Sequence, residues 1–184
     1  MSSLSGIGHR PRPKHLPAES LRLDDQSGQT DSPINNSDLP VNADDHEVPA
    51  DFDLWRFEHT FRVNYYETDG QRRVHHSNYL NYFERGRVEM LRAAGISYKS
   101  LEDAGSMLVV SEMNVRYLAA AEFDDVLTLR VNVLDVRKVR IRHSYQILRG
   151  EELVVEAEST IACVNHEGKP NKLPAVFLEQ WKAR

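Results

Sequence analysis

The stretch Tyr65-Tyr66-Glu67-Thr68-Asp69-Gly70-Gln71-Arg72-Arg73-Val74-His75-His76-Ser77-Asn78-Tyr79 gathers carboxylates, imidazoles and hydroxyls just ahead of a segment with helical spacing. A carboxylate on a loop that leads into a helix can do nucleophilic or acid–base chemistry. The helix start offers unpaired backbone N–H groups and the positive end of the macrodipole, which stabilise a developing oxyanion. Asp69 beside such a start is placed to act as nucleophile or general base. The residues alone leave a second reading open, in which Asp69 and Glu67 form turns and His75 and His76 only pack or face water.

Other chemistry-bearing residues carry less. His75 and His76 should point apart on an extended loop, and no second pair at ligand spacing accompanies them, so no metal site is expected. Cys163, the only cysteine, shares a strand face with Ile161 and reads as packing rather than as a nucleophile; alone, it forms no intramolecular disulfide. Glu84 and Glu89 fall in the helical segment, where an acid could assist water activation or, as for Glu84 with Arg87, form a surface ion pair. Arg137, Lys138, Arg140 and Arg142 cluster at an expected hairpin. They could meet phosphates through paired donors, or form a solvated tip with one arginine bound to acids of the next strand.

The elements that must position these groups follow from periodicity. From Trp55, Phe57, His59, Phe61, Val63 and Tyr65 alternate with polar residues, which predicts a half-buried first strand. Tyr79, Tyr82, Phe83, Gly86, Met90, Leu91 and Ala94 recur at helical spacing, with Ser77 as the expected N-cap and Gly95 as the terminator. A short helical turn near Ser97 to Ala104 should follow, then strands over 107–119, 125–137, 139–149 and 152–165. Turns are expected at Asp124-Asp125, Arg137-Lys138 and Gly150-Glu151, and a last helix near Ala175 to Trp181. One strand, one long helix and four strands with short connections imply an α+β fold with an antiparallel sheet. A single sheet with a helix on one face leaves edges and a face to be covered, so an oligomer is expected.

The run from Asp69 through Asn78-Tyr79 into Phe83-Glu84-Arg85-Gly86-Arg87 and Leu91-Arg92 resembles the signature of hotdog-fold acyl-CoA thioesterases of the 4-hydroxybenzoyl-CoA thioesterase family, including its Tol-Pal-associated branch. The resemblance continues through Gly95-Ile96-Ser97, Asn114-Val115-Arg116-Tyr117-Leu118, Asp124-Asp125-Val126-Leu127 and Gly168-Lys169-Pro170 with Leu173-Pro174, and covers 54–184. It implies a five-stranded antiparallel sheet wrapped around one long central helix, and hydrolysis of an acyl-CoA to acid and coenzyme A without a cofactor. Asp69 would be the catalytic acid, His76 the residue whose backbone N–H polarises the thioester carbonyl, and Ser77, Asn78 and Tyr79 substrate-binding neighbours. Arg137, Lys138 and Arg140 would contact the nucleotide. Two subunits would join edge to edge as a homodimer or within a homotetramer, with the active site at their interface. Two departures stand out: Gln71-Arg72-Arg73 follows the acid where the family commonly has small residues, and Leu118-Ala119-Ala120-Ala121 lacks the usual proline. A non-catalytic acyl-CoA-binding module and an acyl-carrier-protein thioesterase are the rival functions.

Composition bounds these readings. The 184 residues suit one principal domain. Residues 1–53 hold six of the eight prolines, one aromatic and a net charge of −6, and are expected to be a disordered tail, with the folded domain at 54–184. The remainder carries +1, without the wide basic face and interleaved aromatics that nucleic-acid binding requires. No apolar run is long enough to span a membrane and no secretory signal is visible, so a cytoplasmic protein without membrane insertion is expected.

Overall fold

A computed structural model describes residues 55–182. The expected tail at 1–53 lies outside the described residues. Five strands, β1 (Arg56–Arg62), β2 (Met107–Tyr117), β3 (Val126–Arg137), β4 (Arg140–Arg149) and β5 (Glu152–Val164), form one antiparallel sheet in the order β1-β3-β4-β5-β2. Three helices accompany it: α1 (Asn78–Ala93), α2 (Tyr98–Asp103) and α3 (Ala175–Lys182). None of the described helices is long and apolar enough to cross a membrane.

The alternation read from the sequence becomes the inner face of the sheet. Leu127, Leu129, Val131 and Val133 on β3 are buried with Ile141, Tyr145 and Ile147 on β4. They share one core with Tyr79, Tyr82, Phe83, Met90 and Leu91 of α1. The closest approach falls at Gly86, where a Cβ atom would lie 2.5 Å from Leu129 Cδ2 and 2.9 Å from Val131 Cγ2. Glycine weakens a helix interior by about 1 kcal/mol relative to alanine, yet only glycine lets α1 sit this close to β3.

The helix ends as its sequence implies. Gly95 takes φ 73, while Ile96 N donates to Leu91 O and Gly95 N to Arg92 O, both at 2.9 Å. This is the paired bonding of a Schellman motif, which requires a left-handed residue at that point.

Three local expectations need correction. The first strand stops at Arg62, because Asn64 opens a 3₁₀ turn over Tyr65–Glu67, and Tyr65 is 77% exposed rather than on the inner face. Ser77 precedes α1 but does not cap it with its side chain: its backbone is already helical (φ −68, ψ −26), whereas a capping side chain needs an extended backbone. The β3–β4 turn falls at Lys138-Val139, since Arg137 is still in the ladder opposite Arg140.

His143 lies within the core and is 3% exposed. Burial, reinforced by the nearby Arg87 guanidinium, pushes its pKa down to about 3 from the ordinary 6.5. Arg87 itself donates to Tyr145 Oη at 3.0 Å, and Tyr145 Oη shares a 2.7 Å hydrogen bond with Ser159 Oγ. This bond replaces the expected surface pair of Arg87 with Glu84. Arg87 and His143 line a cavity of about 30 Å³ beneath the C-terminal half of α1.

Two outcomes follow for stability. Gly86→Ala should lower stability by about 1–3 kcal/mol through overpacking against Leu129 and Val131, read as a lower urea midpoint with an unchanged slope. The unfolded chain protonates His143 near its ordinary pKa while the folded chain resists down to about 3. Stability therefore falls as pH drops through that interval. His143→Leu should flatten this acid dependence in denaturation series run from neutral pH to about pH 4; an unchanged slope would assign the acid sensitivity to other groups.

Candidate active site

The chain between β1 and α1 is tied at both ends to the segment that precedes β3. Val63 N donates to Asp125 O at 3.0 Å, and Val74 N to Ala121 O at 2.8 Å. Glu67 clasps the base of this loop. Its buried Oε2 accepts Asn64 N at 2.7 Å and Asn64 Nδ2 at 3.4 Å, while Glu67 N donates back to Asn64 O at 3.1 Å, in the manner of a capping box. Its carbonyl accepts His75 N at 2.9 Å and Asn78 Nδ2 at 2.7 Å. One residue thus joins the end of β1, the loop exit and the first turn of α1. Burial and the neighbouring Glu67 carboxylate push the Tyr82 phenol far above its ordinary pKa, so it stays protonated.

Asp69 projects from the tip, above an isolated bridge between Thr68 and Val74. Its N–H donates to Arg73 O at 2.8 Å, its carbonyl accepts Arg72 N at 2.9 Å, and Oδ1 accepts Gln71 N at 2.7 Å and Arg73 N at 3.4 Å. Oδ1 therefore organises the turn, as the reading of Asp69 as a turn former requires. Oδ2 takes no hydrogen bond among the described residues, so the same side chain also presents an open carboxylate oxygen.

At the loop exit, the His76 N–H has no acceptor among the described residues, while the His76 carbonyl accepts Tyr117 Oη at 3.1 Å. His75 Nδ1 and Ser77 Oγ share a 2.8 Å hydrogen bond. The His75 and His76 rings do not point apart as expected; their centroids lie 4.1 Å from each other. Helix geometry turns the chain back at Asn78, whose N–H donates to His75 O, and so keeps both rings on one side. No cluster of three or more metal-ligating side chains occurs among the described residues.

The expected substrate-binding residues divide. Ser77 is exposed, Asn78 spends its side-chain amide on Glu67 O, and Tyr79 is buried edge-on against Tyr82 and Tyr117. The basic hairpin is elsewhere. Arg137 binds Asp135 at 2.8 Å, Lys138 O accepts Leu173 N at 2.8 Å, and Arg142 binds Glu158 at 2.8 Å. Arg140 is exposed opposite Arg137. The length of β3, at roughly 3.3 Å per residue, separates this hairpin from the Asp69 loop of the same chain. Glu89 pairs with Arg92. Cys163 is buried, and desolvation raises its pKa, which keeps it a thiol.

Neither the cavity under α1 nor a polar depression of about 510 Å³ lined by Arg116, Arg142, Glu156 and Glu158 includes Asp69. In that depression the charges already pair, Arg116 with Glu156 and Arg142 with Glu158.

A five-stranded antiparallel sheet with α1 on its inner face, and an acid-bearing loop running into the start of that helix, define a hotdog protein of the thioesterase type. Residues 63–181 match the Thioesterase-like superfamily, and the chain belongs to it. A putative esterase of Aquifex aeolicus is 35% identical over 121 residues, 66% of this chain and 94% of its own. Acyl-CoA thioester hydrolase YbgC of Escherichia coli is 33% identical over 128 residues, 68% of this chain and 96% of its own. Among solved structures, a probable thioesterase from Bartonella henselae superposes with a TM-score of 0.62 at 33% identity, covering 65% of this chain and 99% of its own.

The Glu67 clasp was not read as a site feature from the sequence, although its signal, Asn64 followed three residues later by Glu67, is a capping-box pattern. Glu67→Ala should cost about 1–3 kcal/mol, because the Asn64 N–H loses a charged acceptor in a part-buried hydrogen bond. Glu67→Gln, which keeps an acceptor oxygen, should cost less. Amide exchange at Asn64 and His75 checks the order: both should exchange fastest in the alanine variant.

Proposed function

We propose that this protein hydrolyses acyl-CoA thioesters to the free acid and coenzyme A, with Asp69 as the catalytic carboxylate and the His76 N–H as the oxyanion donor. The observation that carries this reading is the presence, on one clasped loop, of a carboxylate oxygen and an N–H just before α1 that have no hydrogen-bond partner among the described residues. The His76 N–H would polarise the thioester carbonyl and stabilise the oxyanion as it forms. Asp69 Oδ2 would then either attack the carbonyl carbon, expelling the thiolate and leaving an anhydride for water to cleave, or take the proton from an attacking water. In both routes water supplies the oxygen of the acid and the proton that ends on the thiol. Kinship with enzymes named as acyl-CoA thioester hydrolases supports the reaction class.

The same reading includes a second copy. β2 pairs only with β5 among the described residues, and Val109 and Val110 on it are 40% and 50% exposed. Joining two β2 edges would cover them and continue the sheet. A homodimer of this kind, alone or within a tetramer, would place further walls around the exposed Asp69 loop. The distance of Arg137, Lys138 and Arg140 from that loop means that any nucleotide contact they make is with substrate held by a neighbouring subunit. A cytoplasmic location, in keeping with the single cysteine, is part of the same proposal.

Release of free thiol from a panel of acyl-CoA substrates tests the reaction. Asp69→Asn, nearly equal in size, should fold normally and lose on the order of a hundredfold or more in kcat. Near-normal turnover by this variant would remove Asp69 from the mechanism.

A further inference from the structure

Two arginines follow Asp69 on the same turn, and neither pairs with an acid among the described residues. Arg72 follows Asp69 by one β-turn, closed by the 2.9 Å bond from Arg72 N to Asp69 O, which keeps the two Cα atoms within about 7 Å. Arg73 is fixed next to it by its carbonyl, which accepts Asp69 N at 2.8 Å, and by a backbone bridge to Glu122. Both side chains are exposed, and neither forms an ion pair among the described residues. The neighbouring arginines do: Arg62 is held by Asp124, and Arg149 by Asp125 and Glu152. Of the nearby acids, Glu67 is buried on Asn64, Asp69 Oδ1 is engaged by backbone N–H groups, and Glu122 is exposed.

The backbone adds a second observation. Arg72 adopts φ 63, a left-handed conformation that a bulky side chain resists and glycine takes freely. If the turn alone mattered, glycine would serve it better. An arginine at this angle points to a use for the side chain that offsets the strain. Gly70 leaves the approach open, since a Cβ there would meet nothing within 4 Å.

We propose that Arg72 and Arg73 bind a carboxylate carried by the acyl group, so that the preferred substrates are coenzyme A monothioesters of dicarboxylic acids. This rests on Asp69 as the reacting carboxylate. Guanidinium groups bind carboxylates through paired, charge-assisted hydrogen bonds. The two arginines stand one turn from the reacting group, whereas the phosphates of coenzyme A lie at the far end of the pantetheine arm.

The test compares glutaryl-CoA with pentanoyl-CoA, and the N-acetylcysteamine thioesters of the same two acids, on the wild-type protein and on Arg72→Gly/Arg73→Gln. Glycine at position 72 suits the backbone, and an unchanged melting temperature confirms the fold. The wild type should prefer the glutaryl thioester by about tenfold or more in kcat/KM, mostly through KM, on both carriers. In the double variant that ratio should fall to near one. A wild-type ratio near one, or a ratio the double variant keeps, overturns the proposal. So does a loss in the variant confined to the CoA carrier and equal for both acids, which would assign the arginines to phosphate. If no thioester releases thiol, the hydrolase reading fails, and calorimetric binding of S-(4-carboxybutyl)-CoA against S-pentyl-CoA decides separately: a preference of about tenfold that the double variant loses supports the arginine assignment, and equal affinities refute it.

Discussion

The contact between Gly86 and β3 governs the rest of the molecule. Because α1 carries no side chain where it crosses Leu129 and Val131, the helix axis lies close to the sheet, and Tyr82, Phe83 and Met90 reach the buried strand residues on either side. That depth fixes the start of the helix relative to the beginning of β3. The Asp69 loop is tethered to the same point, through Asp125 and Ala121. A helix standing one side chain further out would carry the His76 N–H away from a loop that the sheet holds in place. Core packing and site geometry are in this sense one constraint.

Around that contact the interior is polar where it could have been apolar. Arg87, Tyr145 and Ser159 form a hydrogen-bonded line, with His143 neutral beside it. Buried polar groups are costly when misaligned, so a satisfied line of this kind penalises alternative placements of α1 more sharply than hydrocarbon would. The steric contact sets how deep the helix sits, and the polar line discriminates among rotations about its axis.

Much of the fold was legible in the sequence. Strand alternation, helical spacing and the glycine at 95 are local signals whose physical meaning survives in the folded chain, and they gave all five strands and the three helices nearly in register. The failures share a cause. Tyr65 alternates correctly but is carried out of the strand by the Asn64–Glu67 capping box; Ser77 is a favoured capping residue whose backbone is already helical; Arg87 turns inward because Tyr145 waits there. The outcomes depend on a local capping motif, on a backbone angle and on a partner distant in sequence, none of which is visible in periodicity. The Asp69 loop could be singled out because its residue types are unusual together. The clasp that holds it could not be weighed without knowing that Glu67 would be buried, and the hairpin's separation from the loop needed the strand length and topology.

The open edge of β2 has a kinetic side. Among the described residues the outer backbone groups of β2, flanked by Val109 and Val110, pair with no strand; such a row would accept any extended strand that arrives in the right orientation, and nothing in the backbone itself distinguishes the correct one. In the proposed dimer, capture of that edge would be a second-order event, whereas the collapse of α1 onto the sheet is first-order. On that proposal dilution would lengthen the life of the unprotected monomer without slowing its folding, and crowded synthesis would expose the same edge to half-made copies of other chains. The interval between folding and edge capture would then be when this chain is most exposed to aggregation.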